Sequence, residues 1–168
     1  MNDDAQTAFL VNAYSDPVII KIRGRANYMN CKPVGVFFKD MINRGKRTFV
    51  MDFADCSAMD STFLGILAGA AMDLRDLDPP GTLVLARLGA RNLDLVRNLG
   101  LHHILEVDTG SANHRLDSKA DLHSLQGEKV DSADAILQAH ENLVDVDQGN
   151  LQKFQDVISF LKNQVDDA

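Results

Sequence analysis

Asp60, Ser61 and Thr62 are the residues of this 168-residue chain whose types and spacing most invite chemistry. They open the run SAMDSTFLGILAGAAMDL (residues 57–74), and Phe63 to Met72 behind them carry no charge. A carboxylate or hydroxyl at the start of a helix accepts from a backbone N–H that the first turn leaves unpaired, a contact worth about 1 kcal/mol. The same N–H groups and the helix dipole favour an anion. A phosphate placed on Ser61 would add about −1.5 to −2 charge without necessarily harming the fold. Capping and switching are thus two compatible readings of the same cluster.

Other chemistry finds less support. A Ser–His–Asp triad through Ser61 requires a histidine nearby, and no nucleophile elbow surrounds this serine. Of the five histidines, His102 and His103 are expected at the start of a strand, where adjacent side chains point to opposite faces. His114 and His123 fall in a polar linker and His140 in the tail, without metal-ligand spacing to cysteine or acidic companions. No G-x-G-x-x-G and no phosphate-cradling Gly-Lys-Ser/Thr loop occurs. The expectation is a protein that is not an enzyme and holds no cofactor or metal.

The elements that must position Ser61 follow from periodicity. Residues 7–12 and 18–23 read as short strands separated by Ser15-Asp16-Pro17, the second alternating Ile20 and Ile22 with Lys21 and Arg23 until Gly24 ends it. Residues 33–43 place Val34, Phe37, Phe38 and Met41 at helical spacing, and Gly45 stops them. A strand at 48–53, the helix 61–77, a strand at 82–88, a helix at 90–99 and a strand at 103–107 complete the order β-β-α-β-α-β-α-β. Such alternation predicts an α/β fold, a mixed β-sheet layered with α-helices. Gly65 and Gly69, with Ala68, Ala70 and Ala71, make one flank of the 61–77 helix small. Each glycine costs a helix about 1 kcal/mol relative to alanine, so close approach to the sheet or to another helix is expected there.

The chain divides into a domain at 1–108, a polar linker at 109–130 and a two-helix C-terminal extension at 131–168. Ile136, Leu137, His140, Leu143 and Val144 share one face of the first tail helix. Leu151, Phe154, Val157, Ile158, Leu161 and Val165 form a stripe on the second. Two short amphipathic helices bury little alone, so they must dock on the domain, on a second copy or on a partner. A net charge of −7 argues against nucleic acid and anionic membranes. Asp3 and Asp4 stand where a signal peptide would be basic, and the longest apolar run is too short to span a bilayer. Together with two cysteines far apart in sequence, these features predict a cytoplasmic protein with reduced thiols.

The stretch VMDFADCSAMDST-FLGILAG, with Met59-Asp60-Ser61-Thr62, Leu64, Gly65 and Gly69, resembles the STAS domain of bacterial anti-sigma factor antagonists. Asp52 at a preceding strand end and Leu99-Gly100-Leu101 before the last strand extend the resemblance over residues 7–108, leaving everything from 109 onward as an addition. The resemblance implies a non-enzymatic regulator of a partner-switching pathway. Its Ser61 (or Thr62) would be phosphorylated by a serine kinase that is also the anti-sigma factor, and the unphosphorylated form would bind that partner. Asn27, Asp60, Ser61, Thr62, Phe63, Leu64 and Gly65 would form the binding surface. Phe63 stands where the family usually has glycine and is expected to be exposed there; Asn27 stands where an aspartate is usual. The alternative is a constitutive scaffold or dimerisation module, its Phe63 surface and helical tail binding another protein or a second copy without a phospho-switch.

Overall fold

Alternating apolar residues build the sheet of this protein in the computed structural model, which describes residues 8–110 and 122–167. The strands are β1 (Phe9–Asn12), β2 (Val18–Ala26), β3 (Thr48–Met59), β4 (Thr82–Ala86), β5 (Glu106–Asp108) and β6 (His123–Ser124). The helices are α1 (Lys32–Asn43), α2 (Ser61–Arg75), α3 (Ala90–Asn98), α4 (Ala133–Val146) and α5 (Asn150–Asp166). The sheet runs β5-β4-β3-β2-β1-β6, with β2 to β5 parallel and β1 antiparallel to both neighbours. Val18, Ile20 and Ile22 of β2, Phe49, Met51 and Phe53 of β3, and Leu83 and Leu85 of β4 all fall in one core with the helices. Their neighbours Ile19, Val50, Val84 and Ala86 make a small separate cluster. Period-two alternation thus sends one face of the sheet under the helical layer.

Three local features differ from the sequence expectation. Gly24 does not end β2; it lies inside it at φ 73°, where the β2–β3 register shifts and both strands run on to Ala26 and Met59. This bulge carries β3 directly to the start of α2. His102 and His103 belong to a 3-10 turn over Leu101–His103 rather than to a strand, and their ring centroids lie 4.0 Å apart. The linker contributes a strand: β6 pairs with β1, Val11 opposite His123 and Leu10 opposite Ser124. The stretch containing His114 lies outside the described residues.

The uncharged run Phe63–Met72 within α2 has a packing cause. Leu64, Leu67 and Leu74 enter the core with the sheet residues, Ile66 borders α1 through Gly35, and the Gly65–Gly69 flank lies against α4. A helix covered on several sides has little water to face, so it needs no polar stripe. Phe63 follows the same logic. Its expected exposure is overturned: it is 0% exposed, stacked on Phe9 at 5.9 Å and edge-on to Phe53 at 6.4 Å. Phe63→Ala should therefore cost about 3–5 kcal/mol by emptying this aromatic cluster. Urea denaturation measures it, and a loss under about 0.5 kcal/mol would instead indicate a surface position.

Candidate functional site

Asp60 fixes the start of α2 and joins it to the β2–α1 loop. One carboxylate oxygen accepts from the Phe63 N–H at 2.9 Å, and the other accepts from the Tyr28 N–H at 2.9 Å. The Asp60 N–H donates to the Ala26 carbonyl at 3.1 Å. Capping is thus realised, and the same side chain holds the loop carrying Asn27. Asn27 itself turns that loop: its side-chain oxygen accepts from Met29 N–H and its carbonyl accepts from Asn30 and Cys31 N–H. Asn27 therefore neighbours the Ser61 turn through Asp60 and Tyr28. Asp52, expected as part of the same pattern, is fully buried and bidentate to Arg87 at 2.9 and 2.5 Å. Arg87, just past the end of β4, holds a left-handed backbone at φ 59°.

Ser61 does have a histidine, 79 residues away in sequence. Its Oγ lies 2.8 Å from His140 Nε2 on α4. His140 Nδ1 lies 2.8 Å from the Ile136 carbonyl oxygen, which can only accept. In the neutral ring Nδ1 therefore carries the hydrogen, and the bare Nε2 accepts from the Ser61 hydroxyl. His140 is 3% exposed and packs edge-on against Phe154, so its two hydrogen bonds are what make its burial affordable. A hydroxyl bonded to an oriented imidazole is the pairing found in nucleophilic catalysis. Here the orienting group is a neutral carbonyl, which fixes the ring but supplies no charge to stabilise an imidazolium. The contact is better suited to clamping α4 onto α2 than to relaying protons.

The small flank of α2 is the seat of that clamp. A Cβ on Gly65 would fall 2.1 Å from the Ala139 carbonyl oxygen, and one on Gly69 would fall 2.6 Å from the Asn142 amide nitrogen. Asn142 donates to the Gly65 carbonyl at 3.1 Å. The close approach expected from the glycines is thus to α4. Of the seven residues expected at a binding surface, Asn27, Asp60 and Ser61 are half-buried, whereas Thr62, Phe63, Leu64 and Gly65 are buried. His140 was missed because only its place on an apolar stripe hinted at it; a polar side chain in such a stripe must find a partner when the stripe is covered.

Around this seat lie a cavity and a buried thiol. The cavity, about 550 Å³, is lined by Asp60, Ser61, Leu64, Asn98, Lys153 and Phe154, among others. Cys31 donates its S–H to Asp131, just before α4, at 3.2 Å. Burial, with the nearby carboxylate of Asp131, pushes the Cys31 thiol far above its ordinary range. Burial likewise raises Asp131, while the Cys31 hydrogen bond and Lys32 oppose it. Among the described residues no group of three side chains could hold a metal ion, and no helix is long and apolar enough to cross a membrane.

This architecture is a STAS-like α/β fold, and solved structures share it. The anti-sigma factor antagonist SpoIIAA in its unphosphorylated form is similar with a TM-score of 0.51 and 19% identity, covering 62% of this chain and 90% of that one. The Bacillus cell fate determinant SpoIIAA in the phosphorylated form gives 0.51 and 20%, covering 61% and 93%. The neighbour is matched almost whole, while more than a third of this chain has no counterpart in it. No family model matches the chain, and no curated protein matches it by sequence.

Two measurements check the site. Asp60→Ala removes the acceptor of two backbone N–H groups and should cost about 1–3 kcal/mol in chemical denaturation. Cys31, neutral and buried, should resist a disulfide reagent at pH 8, and Cys56, half-buried with its thiol pushed up to about 11, should react slowly. Thiol counting before and after urea should therefore rise from near zero to both thiols; two rapid native reactions would refute these environments.

Proposed function

We propose that this protein is a non-enzymatic regulator of a bacterial partner-switching pathway, acting as an anti-sigma factor antagonist does. In this reading its unphosphorylated form binds a serine-kinase-type anti-sigma protein in the cytoplasm, and phosphorylation of Ser61 releases it. The observation that carries the reading is the position of Ser61. It is a half-buried hydroxyl at the N-terminus of α2, beside an open cavity, in a fold shared with an antagonist known in phosphorylated and unphosphorylated forms. The helix N-terminus tolerates the added charge, and Lys153 lines the same cavity. A phosphate there changes an interface while leaving the sheet untouched, as a switch requires.

The alternative of a scaffold that docks partners through Phe63 and the helical tail loses the Phe63 half of its surface, because that ring lies in the core. The burial of Thr62, 4% exposed against a half-buried Ser61, favours Ser61 as the acceptor. Incubation of the protein with ATP and extract of its host, followed by phosphopeptide mapping, should place phosphate on Ser61. Ser61→Asp should bind the partner at least about tenfold more weakly, which corresponds to about 1.4 kcal/mol. Absence of phosphate at residue 61 together with undiminished binding by Ser61→Asp would overturn the reading.

A further inference from the structure

The face of α2 that starts at Ser61 is already occupied by a helix of the same chain. Ala139 sits in the notch made by Gly65, Asn142 bonds the Gly65 carbonyl, and His140 accepts from Ser61. We propose that this face is an exchangeable helix-docking surface, that α4 with α5 is its resident occupant, and that a protein partner reaches Ser61 by displacing the pair with an amphipathic helix of its own. The proposal rests on the reading of Ser61 as the partner-controlled residue. It adds what covers the site and what kind of element fits it: a helix with a small residue at the notch and an amide side chain one turn along.

The way α4 and α5 are packed supports displacement as a unit. Leu137, Ile158 and Leu161 form a cluster of their own, joined by partly buried Ile136, Val144, Phe154 and Val165. Among the buried apolar side chains of the pair, only Leu143 belongs to the main core cluster. The pair therefore keeps much of its apolar contact if it leaves the domain together. What ties it to α2 and the sheet is the burial of Leu143 in the main core, with Val146 and Phe154 packed against it, and a close backbone approach. Two hydrogen bonds add to this, one accepted by His140 from Ser61 and one donated by Asn142 to the Gly65 carbonyl; water or another helix can replace these polar contacts. Further ties from Asn150 to the Leu99 carbonyl and from Lys153 to the Asn98 carbonyl would break in the same movement.

Space on both flanks points the same way. On one side lies the cavity of about 550 Å³ next to Ser61; on the other, an open groove of about 600 Å³ runs between α1, α2 and α4 past Gly35, Ile66 and Gln138. The seat is thus tight along the Gly65–Ala139 line and bordered on either side by a cleft open to solvent, so a helix with other side chains on its flanks meets no wall there.

Native-state hydrogen exchange read by mass spectrometry tests this on the full chain. In the wild type, α4, α5 and the first turn of α2 should exchange together and faster than β2 and β3. His140→Ala, which removes the hydrogen bond, and Ala139→Leu, which overfills the notch, should each speed that exchange about tenfold or more and leave β2 and β3 unchanged. The phosphorylation rate of Ser61 in host extract with ATP should rise in the same variants. Exchange of α4 and α5 at the rate of β2 and β3 in all three proteins would overturn the proposal, because the pair would then be part of one cooperative core. Faster opening with an unchanged rate of phosphate appearance at Ser61 would overturn the masking role. Independent opening with no phosphate on Ser61 in any variant would support the exchangeable surface and refute the phospho-switch.

Discussion

The approach of α4 to α2 at Gly65 is the contact on which most of the molecule's unusual features depend. With the Ala139 carbonyl 2.1 Å from where a Cβ would sit, nothing larger than hydrogen is accommodated at residue 65. That constraint explains why a helix accepts the propensity penalty of glycine, and why residues 63–72 of α2 carry no charge: the sheet covers one side, α1 a second and α4 a third. It also sets the environment of Ser61, since the helix that fills the notch brings His140 to the serine hydroxyl.

The polar groups of the site obey the rule that burial demands partners. Asp60 divides its two oxygens between the first turn of α2 and the loop at Tyr28, so one side chain both caps a helix and aligns the loop. His140 is tolerated in an apolar stripe because both ring nitrogens are engaged. These contacts hold different things together: those of Asp60 join α2 to the β2–α1 loop, whereas those of His140 and Asn142 join α4 to α2.

Element order was legible because it rests on local signals: the alternation of β2, the 3.6-residue stripes of α1, α4 and α5, and the cap at Asp60. Longer-range features were not. Gly24 reads locally as a strand breaker, yet pairing with β3 absorbs it as a bulge. His123–Ser124 has no strand signature of its own and is recruited by the open edge of β1. His102 and His103 fall in a tight turn because Gly100, at φ 75°, bends the chain before β5 begins.

Within the candidate site, the sequence by itself determined that Asp60 starts a helix, that Ser61 stands at its anion-favouring end, and that something must come close to Gly65 and Gly69. Only the tertiary structure decided that Phe63 joins Phe9 and Phe53 in the core, that α4 is the close neighbour, and that His140 meets Ser61. The physical reason is that residue patterns report which side chains must leave water. They do not report which distant segment covers them, because that choice is made by the summed packing of elements separated by many residues in sequence.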